Sequence, residues 1–175
     1  IKKMQKWNSM PYKERSLYKV FNEIDNKCSD NNLPIIISST AKSLYRIVSE
    51  TKISRGSNRI GIIAASIYFA CKECSVPRSN NEIASIFNID IKIMTKGCKN
   101  FTEILRLSQF NKNRIQCHKS INLDDFIDRF SHKLNLNKND IQHILNISKI
   151  CKHLDLINDN TPPAMASGCI YIYIK

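Results

Sequence analysis

Asn58-Arg-Ile-Gly-Ile-Ile-Ala-Ala-Ser-Ile-Tyr-Phe-Ala-Cys-Lys-Glu-Cys74 decides the fold. Ile60, Ile63, Ala64, Ile67, Tyr68 and Cys71 recur at helical spacing. Ile62, Ala65 and Ser66 make the other side small or apolar as well. A helix with no polar face belongs in the middle of a bundle, because any side left in water would expose apolar surface. A helix is therefore expected from about Asn58 to Cys74, with others wrapped around it.

The flanking sequence supplies those others. Leu17, Val20, Phe21, Ile24 and Cys28 form one stripe of a preceding helix, with Pro11 fitted to its first turn and Asn31-Asn-Leu-Pro34 ending it. A second helix is expected from about Ser38 to Ile53, with Ala41, Leu44, Ile47 and Val48 inward. Downstream, Val76-Pro77-Arg78 stops the central helix. Ser79 and Glu82 are spaced as a capping box for a short helix carrying Ile83, Ala84 and Phe87. Asn88-Ile-Asp90 turns the chain into a fifth helix, which Asp90 caps and whose buried side is Ile93, Met94, Gly97, Phe101, Ile104 and Leu105. The fold class is all-α.

The pattern then restarts. Ile24 pairs with Ile127, Leu33 with Leu136, Ile47 with Ile150, and Ile67-Tyr68 with Ile170-Tyr171, always at one offset. That offset exceeds the roughly 20–50 residues of a solenoid unit, so two tandem domains are expected. The boundaries read as an N-terminal arm (1–13), a first five-helix repeat (14–108), a polar, basic linker (109–122) and the start of a second repeat (123–175). The second copy ends inside its third helix. The chain starts at Ile1 without Met and ends on Lys175 directly after an apolar run, so a piece of a longer protein is expected.

The chain has 175 residues, with 27 Lys+Arg against 15 Asp+Glu, a net charge of +12. Enough of it is apolar to exclude a disordered tail, and no apolar run reaches the ~18 residues of a membrane span. A basic domain of this size most often meets nucleic acid. Its abundance of Lys, Asn and Ile is also that of AT-rich coding DNA, so both sources of the charge stand open. Seven cysteines in scattered positions do not form a disulfide framework and fit a reducing compartment. Cys71 and Cys74 make one C-x-x-C pair, but no second pair completes a zinc site. His118, His132, His143 and His153 all lie after residue 108, and no triad, carboxylate pair or phosphate-binding glycine loop is present. Enzyme function is not expected.

Three places carry candidate binding residues. Lys92, Lys96 and Lys99 share one face of the fifth helix, which with the short fourth helix resembles a helix-turn-helix unit. Such a stripe either follows a phosphate backbone or is a solvated face, and the helix start after Asp90 offers N–H groups suited to phosphate. The loop Arg55-Gly56-Ser57-Asn58-Arg59 pairs two arginines with a flexible glycine, suited to close approach to a groove or else a plain helix cap with exposed arginines. Arg78 is equally ambiguous. In the arm, Trp7 sits among Lys2, Lys3 and Lys6, either as a docking residue or folded back on the first helix.

Several stretches together resemble one family. Ala64-Ala-Ser-Ile-Tyr-Phe-Ala-Cys-Lys72, Val76-Pro-Arg78 and Glu82-Ile-Ala84 look like the first cyclin-like repeat of transcription initiation factor IIB. Asp125-Phe-Ile-Asp-Arg-Phe130, Leu134-x-Leu136 and Ile150-Cys-Lys-His-Leu-Asp-Leu156 look like the start of its second repeat, and Met4-Gln-Lys-Trp-Asn8 resembles the preceding linker.

The resemblance implies tandem five-helix cyclin folds, the second truncated here, that hold the TATA-binding protein on promoter DNA and bridge to a II-like RNA polymerase. By position it implies DNA contacts at Arg55, Gly56, Ser57, Asn58, Arg59, Arg78, Lys92, Lys96 and Lys99. It implies TATA-binding-protein contacts at Lys72, Lys92 and Lys96, and a polymerase-facing segment at Lys2, Lys3, Lys6 and Trp7. It implies no cofactor in this segment, a zinc ribbon N-terminal to it, no membrane and no small-molecule substrate. The implied location is the nucleus or a viral factory, the AT-rich composition fitting a large DNA virus or an AT-rich eukaryote.

Two positions depart from the family pattern: Ser57 where a second basic residue often follows the loop glycine, and Thr95-Lys96 where Gly-Arg is usual. The rival readings are a cyclin-type kinase regulator on the same fold, the RNA polymerase III counterpart of the factor, and a helical adaptor basic only through codon usage.

Overall fold

The computed structural model of the chain describes residues 10–111, 123–156 and 160–175. Among the described residues every regular element is an α-helix, and none is long and apolar enough to cross a membrane. Two compact units form, one built from the first five helices and the other from the last three.

In the first unit, α1 (Tyr12–Asp30) begins directly after Pro11, which precedes the helix rather than sitting in its first turn. It closes with Asn32 in the left-handed region (φ 52°), and Leu33 N–H donates to Cys28 C=O at 2.9 Å. That hydrogen bond satisfies a carbonyl the helix leaves free, and asparagine tolerates the required φ. α2 (Ile35–Thr51) starts three residues before the expected Ser38. Its first two residues, Ile35 and Ile36, are 88% and 61% exposed, so this turn carries no inward periodicity to read.

α3 (Gly56–Glu73) also starts early, because Gly56 adopts φ +56° to turn the chain into the helix. Every residue from Gly61 to Ile67 is buried, as a central helix requires, while Ile60, expected inward, is exposed. α4 (Asn80–Phe87) opens on the expected capping box. Ser79 N–H donates to Glu82 at 2.7 Å, and Glu82 N–H donates to the Ser79 hydroxyl at 3.2 Å. α5 (Ile91–Asn111) carries Met94, Phe101, Ile104 and Leu105 inward. It runs to Asn111, so residues 109–111, read from sequence as linker, are helical.

α3 packs against all four neighbours, most extensively α5. Their approach depends on Gly61 and Gly97. A Cβ built on Gly97 would lie 2.3 Å from the Gly61 carbonyl oxygen, and one on Gly61 would lie 2.9 Å from Ile93 O. Further along, Phe69 stacks on Phe101 with centroids 4.9 Å apart. These two contacts follow the same order along both helices, so α3 and α5 run in the same direction. α1 and α2 are tied by Asp25, which accepts from Lys42 at 2.6 Å and from Ser38 at 2.5 Å. Burial pushes the Asp25 carboxyl up, but these hydrogen bonds outweigh it and hold it below the ordinary carboxylate range.

The second unit contains α6 (Leu123–Lys133), α7 (Lys138–His153) and α8 (Pro162–Ile174). Its core is Leu123, Phe126, Ile127, Ile144, Ala166, Cys169 and Ile170. α6 closes as α1 does, with Asn135 at φ 55° and Leu136 N–H donating to Ser131 C=O at 3.1 Å. These residues stand at the repeat offset from Asn32, Leu33 and Cys28. Ile127 and Ile170 are buried like their partners in the first copy. Ile150 and Tyr171 are 58% and 65% exposed instead. In the first unit α5 covers the central helix, and among the described residues α8 has no such cover.

Candidate nucleic-acid interface

The first unit holds most of the charge, and its cations divide by what they touch. Lys27 donates to Ile86 C=O at 2.8 Å and lies 5.6 Å from the Phe87 ring, so it closes the C-terminal end of α4 from α1. Lys42 is held by Asp25, and Arg46 lies over the Phe21 ring at 5.4 Å. These three serve the fold.

Lys92, Lys96 and Lys99 are all exposed on one side of α5, and no described carboxylate pairs with them. The turn Asn88–Asp90 that sets α5 on α4 has Asn88 left-handed (φ 50°), with Ile89 N–H donating to Ala84 C=O at 3.0 Å. The helix start itself is not an open anion site. Asp90 Oδ1 accepts Lys92 N–H at 2.7 Å, and Asp90 C=O accepts the N–H groups of Ile93 and Met94. The capping carboxylate uses donors expected to be free for phosphate and adds a negative charge there.

Lys72, half-buried at the end of α3, lines an open groove of about 660 Å³ with Lys99, Arg106, Tyr68 and Phe69. Lys92 and Lys96 do not line that groove, so the implied set Lys72, Lys92 and Lys96 is not brought together there. Burial pushes the Cys98 thiol in the same groove up to about 11, which keeps it protonated.

Arg55, Gly56, Ser57 and Asn58 are exposed ahead of and within the first turn of α3. Arg59 differs. Its Nη2 donates to the Ser16 hydroxyl at 2.7 Å and to Ser16 C=O at 3.2 Å, so it is half-buried and oriented by α1. Because Gly61 lies against Ile93 and Gly97, the starts of α3 and α5 share one end of the unit. An apolar hollow of about 350 Å³, with Leu17, Tyr45, Val48 and Ile62 among its lining residues, lies beside Arg59. Arg78 is half-buried before α4 and has an interaction of its own. Lys2, Lys3, Lys6 and Trp7 lie outside the described residues, as does His118.

Sequence reading missed Arg15, Lys19 and Arg106. Tyr12, Arg15, Ser16 and Lys19 are spaced as one face of α1, which was legible, but their meeting with Arg59 across 43 residues was not. No group of three or more His, Cys, Asp or Glu among the described residues is placed to hold a metal ion, Cys71 and Cys74 included.

Residues 13–104 match the family model described as the transcription factor TFIIB repeat. Over 99% of its length the chain is 40% identical to a transcription initiation factor IIB-like protein of Acanthamoeba polyphaga mimivirus, of which it covers 40%. It is 29% identical to transcription initiation factor IIB of Xenopus laevis over 97% of its length, covering 51% of that protein. It is 29% identical to the factor of that name from Methanoculleus marisnigri over 91% of its length, covering 44%. The chain thus spans about half, or less, of these relatives.

Proposed function

The chain belongs to the transcription factor TFIIB repeat family, and from that premise we propose that it works as a transcription initiation factor of the IIB type. It binds a TATA-binding protein on promoter DNA and bridges to a II-like RNA polymerase. The observation that carries the reading is the exposed lysine stripe of α5, Lys92, Lys96 and Lys99, within the unit that matches the family model. No described carboxylate pairs with these cations, so they are available to phosphates or to an acidic protein surface. Their action needs no chemistry. Neutralising phosphates releases counterions, and affinity falls steeply with salt. Base reading is confined to the loop that starts α3, where Arg55, Gly56, Ser57 and Asn58 are all exposed.

The polymerase contact is assigned to the arm with Lys2, Lys3, Lys6 and Trp7, and any zinc ribbon to the sequence before it. The site of action is the nucleus, or a viral factory, as the likeness to a mimivirus protein suggests. The kinase-regulator rival gains no support from the relatives named above.

A gel-shift assay tests the reading: the chain is added to a TATA-binding protein on a TATA duplex at low salt. A supershifted complex that dissolves as salt rises is expected. Lys92→Glu with Lys96→Glu should weaken it by about ten-fold or more. No supershift with the wild-type chain refutes the reading.

A further inference from the structure

We propose a second DNA-backbone seat on the first unit, formed by Arg15 and Lys19 of α1 with Arg59 of α3. It takes a phosphodiester of duplex DNA. The inference rests on the DNA-binding reading above and adds Arg15 and Lys19, which neither the family match nor the sequence motifs assign, to Arg59, which the resemblance already implied.

Three observations carry it. First, Tyr12, Arg15, Ser16, Lys19 and Arg59 line one cleft of about 320 Å³, and no carboxylate is among the lining residues. Second, no described Asp or Glu pairs with Arg15, Lys19 or Arg59. Three cations facing one small space repel each other, and an anion relieves that repulsion. Third, Arg59 is held before any ligand arrives, because Ser16 fixes its Nη2 through both hydroxyl and carbonyl. A guanidinium already oriented loses less freedom when a phosphate docks on its remaining donors.

The cleft also has the right address. Arg59 belongs to the first turns of α3, directly after the exposed loop Arg55–Asn58. A duplex laid against that loop passes the start of α1 as well. The seat then fixes the register of the backbone while the loop meets the groove, which is how phosphate contacts position and base contacts specify.

The test is the salt dependence of binding, by fluorescence anisotropy, of the full chain to a labelled TATA duplex with a TATA-binding protein present. Arg15→Gln with Lys19→Gln should lower the slope of log K against log salt by about 1, near 0.9 for the one phosphate the seat takes. It should also weaken binding roughly ten-fold at low salt. Arg15 is half-buried, so far-UV circular dichroism accompanies the double variant. Lys19→Glu, at an exposed position, decides the matter if that variant does not fold, and should lower the slope by about 1. Wild-type slope and affinity in a folded variant, with Lys92→Gln/Lys96→Gln still weakened, overturn the seat and leave the DNA reading standing. A wild-type chain that binds no duplex at any salt removes the DNA reading, and the seat with it.

Discussion

Gly97→Ala tests whether the central helix is where the fold is held. An added Cβ would sit 2.3, 2.5 and 2.8 Å from the O, C and Cα of Gly61, all backbone atoms. No rotamer change relieves a clash with backbone. Restoring even the 3.0 Å that real Cβ atoms keep asks α3 and α5 to part by about 0.7 Å. A gap of ~0.5–1 Å forfeits a quarter to a half of each dispersion contact across it, and this is the broadest helix contact of the unit. Overpacking of this kind costs about 3 kcal/mol or slightly more, while alanine in a helix returns about 1 kcal/mol, so the net loss is about 2–3 kcal/mol.

Hydrogen-exchange mass spectrometry localises the effect. Peptides of α3 and α5 should lose protection by roughly 30- to 150-fold, at tenfold per ~1.4 kcal/mol. Peptides of α6 to α8 should not change. Gly168→Ala is the internal control, since nothing lies within 4 Å of a Cβ there. It should raise protection in α8 through helix propensity alone, by about 0.5–1 kcal/mol. Protection in α3 unchanged or raised by Gly97→Ala would refute the close-approach argument.

Three further outcomes follow from local chemistry. Ser79→Ala removes one half of the α4 capping box and should cost about 1 kcal/mol, read as earlier exchange in α4 while α1 and α2 stay protected. The Tyr173 hydroxyl donates to Asp140 at 2.6 Å and, with the Asn137 backbone N–H, holds that carboxyl below its usual range. A depressed carboxylate contributes stability above its unfolded value near ~3.9 and loses it as pH falls through the folded value. Tyr173→Phe should therefore lower the melting temperature at pH 7 and match wild type at low pH, and a gap that is constant with pH would exclude the linkage. Burial pushes the Cys28 and Cys98 thiols up to about 11, so at pH 8 both should react with iodoacetamide far more slowly than in the unfolded chain, checked by timed peptide mapping.

The helices were legible because burial writes a period into the sequence. Residues 61–67 lack any polar side, and the structure buries all of them. The Ser79/Glu82 box was legible because it depends only on spacing. Helix starts were less so. α2 begins at Ile35 because Pro34 fixes the preceding φ, yet its first turn faces water and has no apolar register. Gly56, read from sequence as a flexible loop residue, begins α3 at positive φ. The repeat was legible at core positions such as Ile24 and Ile127. It misled at Ile150 and Tyr171, where identity of residue type did not carry identity of neighbours.

Charge is where sequence alone is weakest, because a cation's role depends on what it meets across the fold. Lys27, Lys42 and Arg46 are ordinary members of a basic count, and each is used up by a carbonyl, a carboxylate or a ring within its own unit. Lys92, Lys96 and Lys99 were found from spacing because all three lie on one helix. Arg15 and Lys19 were not, and Arg59 was found only as a loop residue, because the cleft that joins the three is made by α1 meeting α3. Codon bias enlarges the supply of lysine without regard to position, so it should scatter unpaired cations around every helix. Two of the three cations of the α1–α3 cleft are arginines, and Ser16 holds one of them. An excess of AT-encoded lysine does not account for an oriented arginine in a cleft without a carboxylate. Selection for an anionic partner does, and the salt slope of Arg15→Gln/Lys19→Gln separates the two explanations.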